Sequence, residues 1–239
     1  MPCCTEAWHF HFILAAQHEV LKKFGLFILC CCAHAVLLAQ YSSLSTDVSV
    51  LRSVSKGQHF WAFGQTVQAQ YHTGPKTTLY AWVSYFTNGK FKNKLTAFAT
   101  DAATPQQLDY TVKGSLRFRQ VSLGVKHYFH GAYNNETTWN LYSITGFGLL
   151  LIKAENSYNQ PVDTAHYAVP QQAIAGAKNI VRLTADVGLG AETLLGSGIY
   201  LYGDVRTWIQ ASRTPSPYLY NQAVPRVVVL SAGLRILFD

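Results

Sequence analysis

The last stretch of the chain alternates between two kinds of side chain. Successive side chains of a β-strand point to opposite faces, so residues Val227 to Asp239 predict a strand with one wholly apolar face and one mixed face. The apolar face holds Leu230, Ala232, Leu234, Ile236 and Phe238, and the mixed face holds Val229, Ser231, Gly233, Arg235 and Leu237. A soluble β-sandwich and a membrane-spanning β-barrel both contain strands of this kind.

Earlier stretches with the same alternation bring the number of strand-like segments after Ala39 to eight. Each is long enough for the ~9–11 residues that a tilted membrane strand requires. Connections after the third, fifth and seventh segments are long, and those after the second, fourth and sixth are short, as in transmembrane barrels, with the short connection after the first segment as the exception. The sequence predicts an all-β, eight-stranded, antiparallel up-and-down transmembrane barrel, with strands near 43–54, 60–72, 78–86, 115–129, 139–153, 181–192, 199–209 and 227–239.

The region between the third and fourth predicted strands is polar. It begins at Asn88-Gly89, and we interpret it as a loop that reaches about Gly114. In the fourth strand, Leu116 and Phe118 are predicted to point outward. The apolar alternation then changes phase near Gln120, which predicts a β-bulge at that position.

Charged residues recur on the face that is predicted to point inward. A lipid-facing charge at mid-membrane costs ~2–4 kcal/mol, so a barrel keeps its charges inside. Eight strands enclose a lumen that side chains can fill, and buried charges need partners there. We therefore predict a structural charge network in the lumen, formed by Asp47, Arg117, Arg119, Arg182, Asp186, Glu192, Asp204, Arg206 and Arg235. A narrow path for ions or small solutes is the alternative.

The N-terminal region has the three parts of a secretory signal peptide. Lys22 and Lys23 precede an apolar run from Phe24 to Leu38, and Ala39-Gln40 is the predicted cleavage point. The run is shorter than the ~20 residues of a transmembrane helix. We predict a signal peptide over 1–39, with 1–20 as a start-site artefact, and a barrel over 40–239.

The residues of the exported part predict no catalysis, no cofactor and no metal site. All five cysteines lie before Gln40, so the barrel has neither disulfides nor thiolates. No histidine of the barrel has a serine two residues away on the same strand face, where a barrel hydrolase would need its nucleophile and base. A loop site using His166, Asp163 or a loop serine remains as an alternative.

The signal end at Ala39-Gln40, the eight alternating segments and the terminal LRILF resemble the small eight-stranded outer-membrane barrels of the OmpA/OmpX type. The chain is similar, more narrowly, to the uncharacterised outer-membrane β-barrel proteins of Bacteroidetes. The resemblance implies a location in the bacterial outer membrane and insertion by the barrel-assembly machinery. Asp239 after Phe238 departs from the usual terminal aromatic residue.

The expected function is structural or interactive, through the extracellular loops. The alternatives are a narrow pore and a lipid A-modifying enzyme. The net charge is +7, and nucleic acid is a poor partner for an exported barrel. Outer-membrane lipid, lipopolysaccharide and an unknown protein are the expected partners. The predicted lipopolysaccharide contact consists of Lys90, Lys92, Lys94 and Lys113 near the outer rim, and a merely solvated loop face is the alternative for these lysines.

Overall fold

The computed structural model describes residues 41–136, 139–169, 173–211 and 214–238. The predicted signal peptide, including the proposed start-site artefact, lies outside these ranges. Within them the chain forms ten β-strands and one short 3-10 turn. The strands are β1 (Ser42–Ser53), β2 (Trp61–Gly74), β3 (Thr77–Phe86), β4 (Gly89–Ala99), β5 (Gln107–His130), β6 (Asn140–Tyr158), β7 (Tyr167–Ala168), β8 (Gly176–Gly196), β9 (Ile199–Gln210) and β10 (Val227–Phe238), and the 3-10 turn is Tyr220–Gln222.

Eight of the strands form a closed antiparallel ring in the order β1, β2, β3, β5, β6, β8, β9 and β10. The ring closes between the first and last strands, which pair from Ser42 opposite Phe238 to Ser53 opposite Val227. The prediction of an eight-stranded, all-β, up-and-down barrel is confirmed.

β4 continues β3 beyond the ring after a break at Thr87 and Asn88. β3 pairs with β5 from Thr77 to Tyr85, and β4 pairs with the first part of β5 from Gly89 to Phe98. The two segments and β5 therefore form one long hairpin. The prediction of a polar loop from Asn88 to Gly114 was wrong, because the lysines of β4 are the outward members of a strand.

The alternation of side chains along β5 is continuous. Leu116 and Phe118 are buried inside the barrel, and so are Gln120 and Ser122 further along the same face. The predicted bulge at Gln120 was wrong, since the register of β5 against β6 shifts only between Tyr128 and His130. The apparent phase change has another cause. In the first part of β5 the apolar side chains point into the barrel, and from Val121 onward they lie on its outer surface.

A belt of exposed apolar side chains surrounds the ring. Phe147 is 70% exposed and Val48 is 68% exposed, which is costly in water for large apolar groups. Exposed aromatic residues lie near the edges of the belt, such as Tyr71 and Trp139 at one edge and Trp61 and Tyr85 at the other. A closed ring with this belt is the construction of a membrane-spanning β-barrel of the bacterial outer membrane. Every strand of the ring contributes to the belt, with Val48, Phe63, Val83, Leu123, Phe147, Leu189, Val205 and Leu230 as representatives.

No helix in the described ranges is long and apolar enough to cross a bilayer.

The connections differ between the two ends of the barrel. At the end that holds Ser42 and Phe238, β2–β3 and β8–β9 are joined by two-residue turns, and β5–β6 by the longer connection 131–139. At the other end β5, β6 and β8 extend beyond the belt, and longer connections join β6 to β8 and β9 to β10. Short turns mark the periplasmic end of such barrels, so the protruding hairpin lies at the extracellular end.

The interior changes character along the barrel axis. Polar and charged side chains fill it inside the belt together with a smaller, mostly aromatic cluster, whereas an apolar cluster that includes Leu51, Phe86, Phe118 and Trp208 fills it at and above the extracellular edge. The 3-10 turn packs on this cluster through Tyr220, and the cluster closes the extracellular mouth.

A glycine pair inside the barrel gives a direct test of this packing. Gly124 lies opposite Gly146, and a Cβ atom at either position would collide with the Tyr80 hydroxyl group. We expect Gly146→Ala to lower the free energy of unfolding by about 1–3 kcal/mol, measured by urea unfolding in lipid vesicles. Gly203→Ala is the control, since a Cβ atom there meets its nearest neighbour, the Ser231 carbonyl oxygen, at 3.5 Å. Equal stability of the two variants would contradict the packing described.

Candidate functional site

The carboxylate of Glu192 is the centre of the first charge cluster in the lumen. It accepts hydrogen bonds from Lys126 Nζ at 2.7 Å, Arg235 Nη2 at 2.6 Å and the Tyr128 hydroxyl group at 2.9 Å. All three ionised side chains are at most 4% exposed. Lys126 also lies over the ring of Tyr142, 3.7 Å from its centroid. Two cations on one carboxylate, with aromatic rings against the cations, satisfy buried charges in a site without bulk water.

Arg206 is the centre of the second cluster. Its Nη2 donates to Asp47 Oδ2 at 3.0 Å, and its Nε lies 2.8 Å from Asp204 Oδ1 without the alignment of a hydrogen bond. The guanidinium group lies 4.8 Å from the centroid of the Trp82 ring. Here one cation lies between two carboxylates, the reverse of the first cluster.

Asp186 lies in the same lumen without a cation in contact, as far as the described residues extend. Gln120 Nε2 donates to it at 2.6 Å, and the Ser122 hydroxyl group donates to its other oxygen. Neutral donors thus stabilise this carboxylate.

Side chains fill the described part of the lumen. Arg206, Asp186 and Trp82 line an interior cavity of only about 10 Å³, which is at the lower limit for one water molecule. At the periplasmic mouth the ring of Tyr133 stacks on His72 with 4.0 Å between the ring centroids. This packing describes a filled barrel, so the geometry does not favour the pore alternative.

The nine charged residues that were predicted to lie in the lumen occupy three different parts of the structure. Six lie on the inner face and belong to the contacts above, namely Asp47, Asp186, Glu192, Asp204, Arg206 and Arg235. Arg182 lies at the extracellular rim, where Nη2 donates to the Thr214 carbonyl oxygen at 2.8 Å. Arg117 and Arg119 lie on the outer face of β5, and the prediction that placed them in the lumen was wrong. The prediction was wrong because apolar side chains point inward in this part of β5, so Leu116 and Phe118 were mistaken for lipid-facing residues.

Lys126 is a charged lumen residue that was not among the predicted ones. This residue shares the inner face of β5 with Gln120 and Ser122, opposite the apolar Val121 and Leu123. Lys126 alternates along the strand with lipid-facing apolar residues, and this alternation was enough to predict that its side chain points into the lumen.

The four predicted lysines lie together on the outer face of the hairpin. Lys90, Lys92 and Lys94 follow one another on the exposed side of β4, and Lys92 lies directly opposite Lys113 of β5. Lys90, Lys92 and Lys113 line an open groove of about 480 Å³ that also includes Glu155. Like charges directly opposite one another destabilise a sheet, so this arrangement favours an anionic partner.

Positive charge is concentrated at the extracellular end. Beyond the belt on that side, the described residues include twelve cations and four carboxylates. The cations are Arg52, Lys56, Lys90, Lys92, Lys94, Lys113, Arg117, Arg119, Lys153, Lys178, Arg182 and Arg226, and the carboxylates are Asp101, Asp109, Glu155 and Asp163.

His166 joins the β6–β8 connection to the tip of the hairpin. Its Nδ1 lies 2.9 Å from Asp101 Oδ2, and its carbonyl oxygen accepts a hydrogen bond from the Thr100 amide at 2.9 Å. The hydrogen bond that His166 donates to Asp101 raises the pKa of His166, and the same contact lowers the pKa of Asp101 to about 2. Asp163 lies 4.0 Å away on the other side of the ring. His166 therefore links two loops, and this link is called the loop tie below. In the described chain no serine forms a hydrogen bond with this histidine.

No group of three or more histidine, cysteine, aspartate or glutamate side chains in the described ranges is placed to hold a metal ion.

Comparisons with known proteins add little. No family model matches the chain, and no curated protein matches it. Among solved structures, Ail of Yersinia pestis is 11% identical, with a TM-score of 0.45, over 82% of this chain and 99% of that chain. Neisserial surface protein A is 14% identical, with a TM-score of 0.48, over 82% and 97% of the two chains. The N-terminal β-barrel domain of OprF from Pseudomonas aeruginosa is 12% identical, with a TM-score of 0.42, over 81% and 97%. Similarity at this level says nothing about function.

The Glu192 cluster predicts a large loss of stability when its charge is removed. Glu192→Gln leaves Lys126 and Arg235 buried without a compensating carboxylate, and we expect a loss of roughly 3–5 kcal/mol in the free energy of unfolding. Glu155→Gln is the control, because its pair with Lys153 is exposed, and such pairs contribute about 0–1 kcal/mol. Urea unfolding in vesicles measures both. A loss for Glu192→Gln no larger than that of the control would be contrary to this account.

The His166–Asp101 contact predicts a pH dependence of the loop tie. A histidine whose pKa is raised in the tied state stabilises that state below its ordinary pKa of 6.5. This stabilisation is lost as the pH rises through the raised value. We expect NMR titration of His166 to give a pKa above 6.5, and Asp101→Asn to lower it. A pKa that is the same in both proteins would rule out the tie.

Proposed function

We propose that this chain is an outer-membrane β-barrel with a non-enzymatic role, exercised at its extracellular end through a cationic surface that contacts the phosphates of lipopolysaccharide. The observation that carries the proposal is the distribution of charge. The lumen contains three cations and four carboxylates in the described chain, and they are arranged in compact clusters. The uncompensated positive charge therefore lies outside, at the extracellular end.

The position of the lysines supports a contact with the surrounding lipopolysaccharide. They lie on the outer face of the hairpin, on the same side of the sheet as the lipid-facing belt, so they face laterally toward neighbouring lipid molecules. Lysine is a good partner for phosphate, and several cations on one rigid sheet are pre-organised for a polyanion.

The alternatives receive less support. A pore needs a continuous path, and the lumen is closed by the charge clusters and by the apolar cluster at the extracellular mouth. A lipid A-modifying enzyme needs a nucleophile and a base, and the described contacts of His166 connect two loops instead. Insertion by the barrel-assembly machinery, an unknown protein partner and the narrower likeness to the Bacteroidetes barrels stay predictions.

Charge removal on the hairpin tests the proposed contact. Lys90, Lys92 and Lys113, which line the groove, are replaced together by Gln. We expect the affinity for lipopolysaccharide with a phosphorylated core to fall by at least about tenfold, since charge-assisted contacts with phosphate are lost. The readout is binding by the refolded barrel in detergent, at several salt concentrations.

The control for this experiment is a second triple variant, with Lys56, Lys76 and Lys178 replaced by Gln. These lysines are exposed and lie outside the groove, so the variant loses the same charge elsewhere. Affinity unchanged by the hairpin substitutions, or lowered equally by the control substitutions, would overturn the contact.

A further inference from the structure

The cations at the extracellular end lie at two heights above the membrane. On β5, Lys113 and Arg119 are six positions apart and both lie on the outer face. Six residues span about 20 Å along a strand, which is roughly 15 Å along the barrel axis at a tilt of 35–45°. Lys113 therefore lies well above the belt, whereas Arg119 lies at its edge, close to the exposed Val121, and Lys90, paired with Ser115, lies between these two heights.

Three cations form the lower group on the outer face of β5 and β6. Arg117 lies directly opposite Lys153, and Arg119 lies opposite the exposed Leu151 of the belt. Lys153 Nζ contacts Glu155 Oε1 at 2.6 Å. Neither arginine has an ion pair within the described part of the chain. The group therefore has a surplus of positive charge at the boundary between lipid and water.

Both arginines are held in place by neutral neighbours. Arg117 Nε donates to Asn88 Oδ1 at 2.6 Å, which leaves its terminal nitrogens for another acceptor. The Arg119 guanidinium group lies over the ring of Tyr85, 5.5 Å from the ring centroid. Stacking and a hydrogen bond at Nε orient a guanidinium group without neutralising it, and the planar fork of donors matches a phosphate.

We propose that Arg117, Arg119 and Lys153 form a binding site for the phosphates of lipid A, in the headgroup plane and below the lysine groove, which it adjoins through the Lys153–Glu155 pair. The proposal rests on the proposed function, because it assumes that the barrel is surrounded by lipopolysaccharide. It assigns the two parts of that ligand to different residues. The arginine site binds the phosphorylated sugars of lipid A at the belt edge, and the lysine groove binds anionic groups of the core above them.

The decisive probe is lipid A without core sugars, in its bisphosphorylated and dephosphorylated forms. The full barrel is refolded in detergent, and binding is measured by native mass spectrometry. We expect wild type to bind the bisphosphorylated form at least about tenfold more tightly, and Arg117→Gln with Arg119→Gln to remove most of that difference. Arg117→Lys with Arg119→Lys should give an intermediate loss, because charge is kept while the planar fork is lost.

Two other variants separate this site from general attraction and from the lysine groove. Lys56→Gln with Lys178→Gln loses the same charge away from the outer face of β5 and β6, and should bind lipid A as wild type does. The triple hairpin variant should also bind lipid A as wild type does, although its affinity for lipopolysaccharide with a phosphorylated core falls.

The outcomes distinguish the two proposals. Unchanged lipid A binding by the double arginine variant overturns the arginine site and leaves the lysine contact standing. Equal loss in the Lys56 and Lys178 control shows general charge attraction and also overturns the site. Loss of lipid A binding in the hairpin variant would show that the groove itself reaches lipid A, against the two-level assignment. A double arginine variant that alone loses lipid A binding supports the site.

Discussion

The pairing of β1 with β10 is the interaction on which the rest of the structure depends. Backbone groups that face lipid have no water to bind, so an open sheet edge inside the apolar belt would cost several kcal/mol for each unpaired group. The twelve-residue register from Ser42 opposite Phe238 to Ser53 opposite Val227 removes that edge. Closure then defines an inside, which the polar alternation of each strand fills, and an outside, which the belt covers.

The sequence predicted the ring because period-two alternation is a local property of each strand. It predicted the hairpin poorly, because the same alternation has the opposite meaning above the membrane. At Leu116 and Phe118 the apolar side points inward and Arg117 and Arg119 point outward, whereas at Val121 and Leu123 the apolar side meets lipid. The alternation in the sequence shows which side chains share a face of a strand, but it does not show where along the strand the membrane ends. Two arginines were therefore predicted on the wrong face, and β4 was predicted as a loop.

The charged residues that were predicted to lie in the lumen also differ between the part of the barrel inside the membrane and the part above it. Those inside the belt, such as Glu192, Arg206 and Arg235, occupy the inner face in mutual contact. Their pairing depends on how distant strands meet across the lumen, which no local pattern contains. The filled lumen and the surplus of positive charge at the extracellular end are the two observations that support the proposed contact with anionic lipid.

The most direct test of the closed membrane barrel is the gel mobility of unheated and heated protein extracted from outer-membrane fractions. A detergent-stable barrel stays folded without heating and migrates faster than the heated, unfolded chain. We expect this faster unheated band in the outer-membrane fraction. A soluble periplasmic protein with one mobility, heated or not, would contradict it and would indicate a secreted β-sandwich.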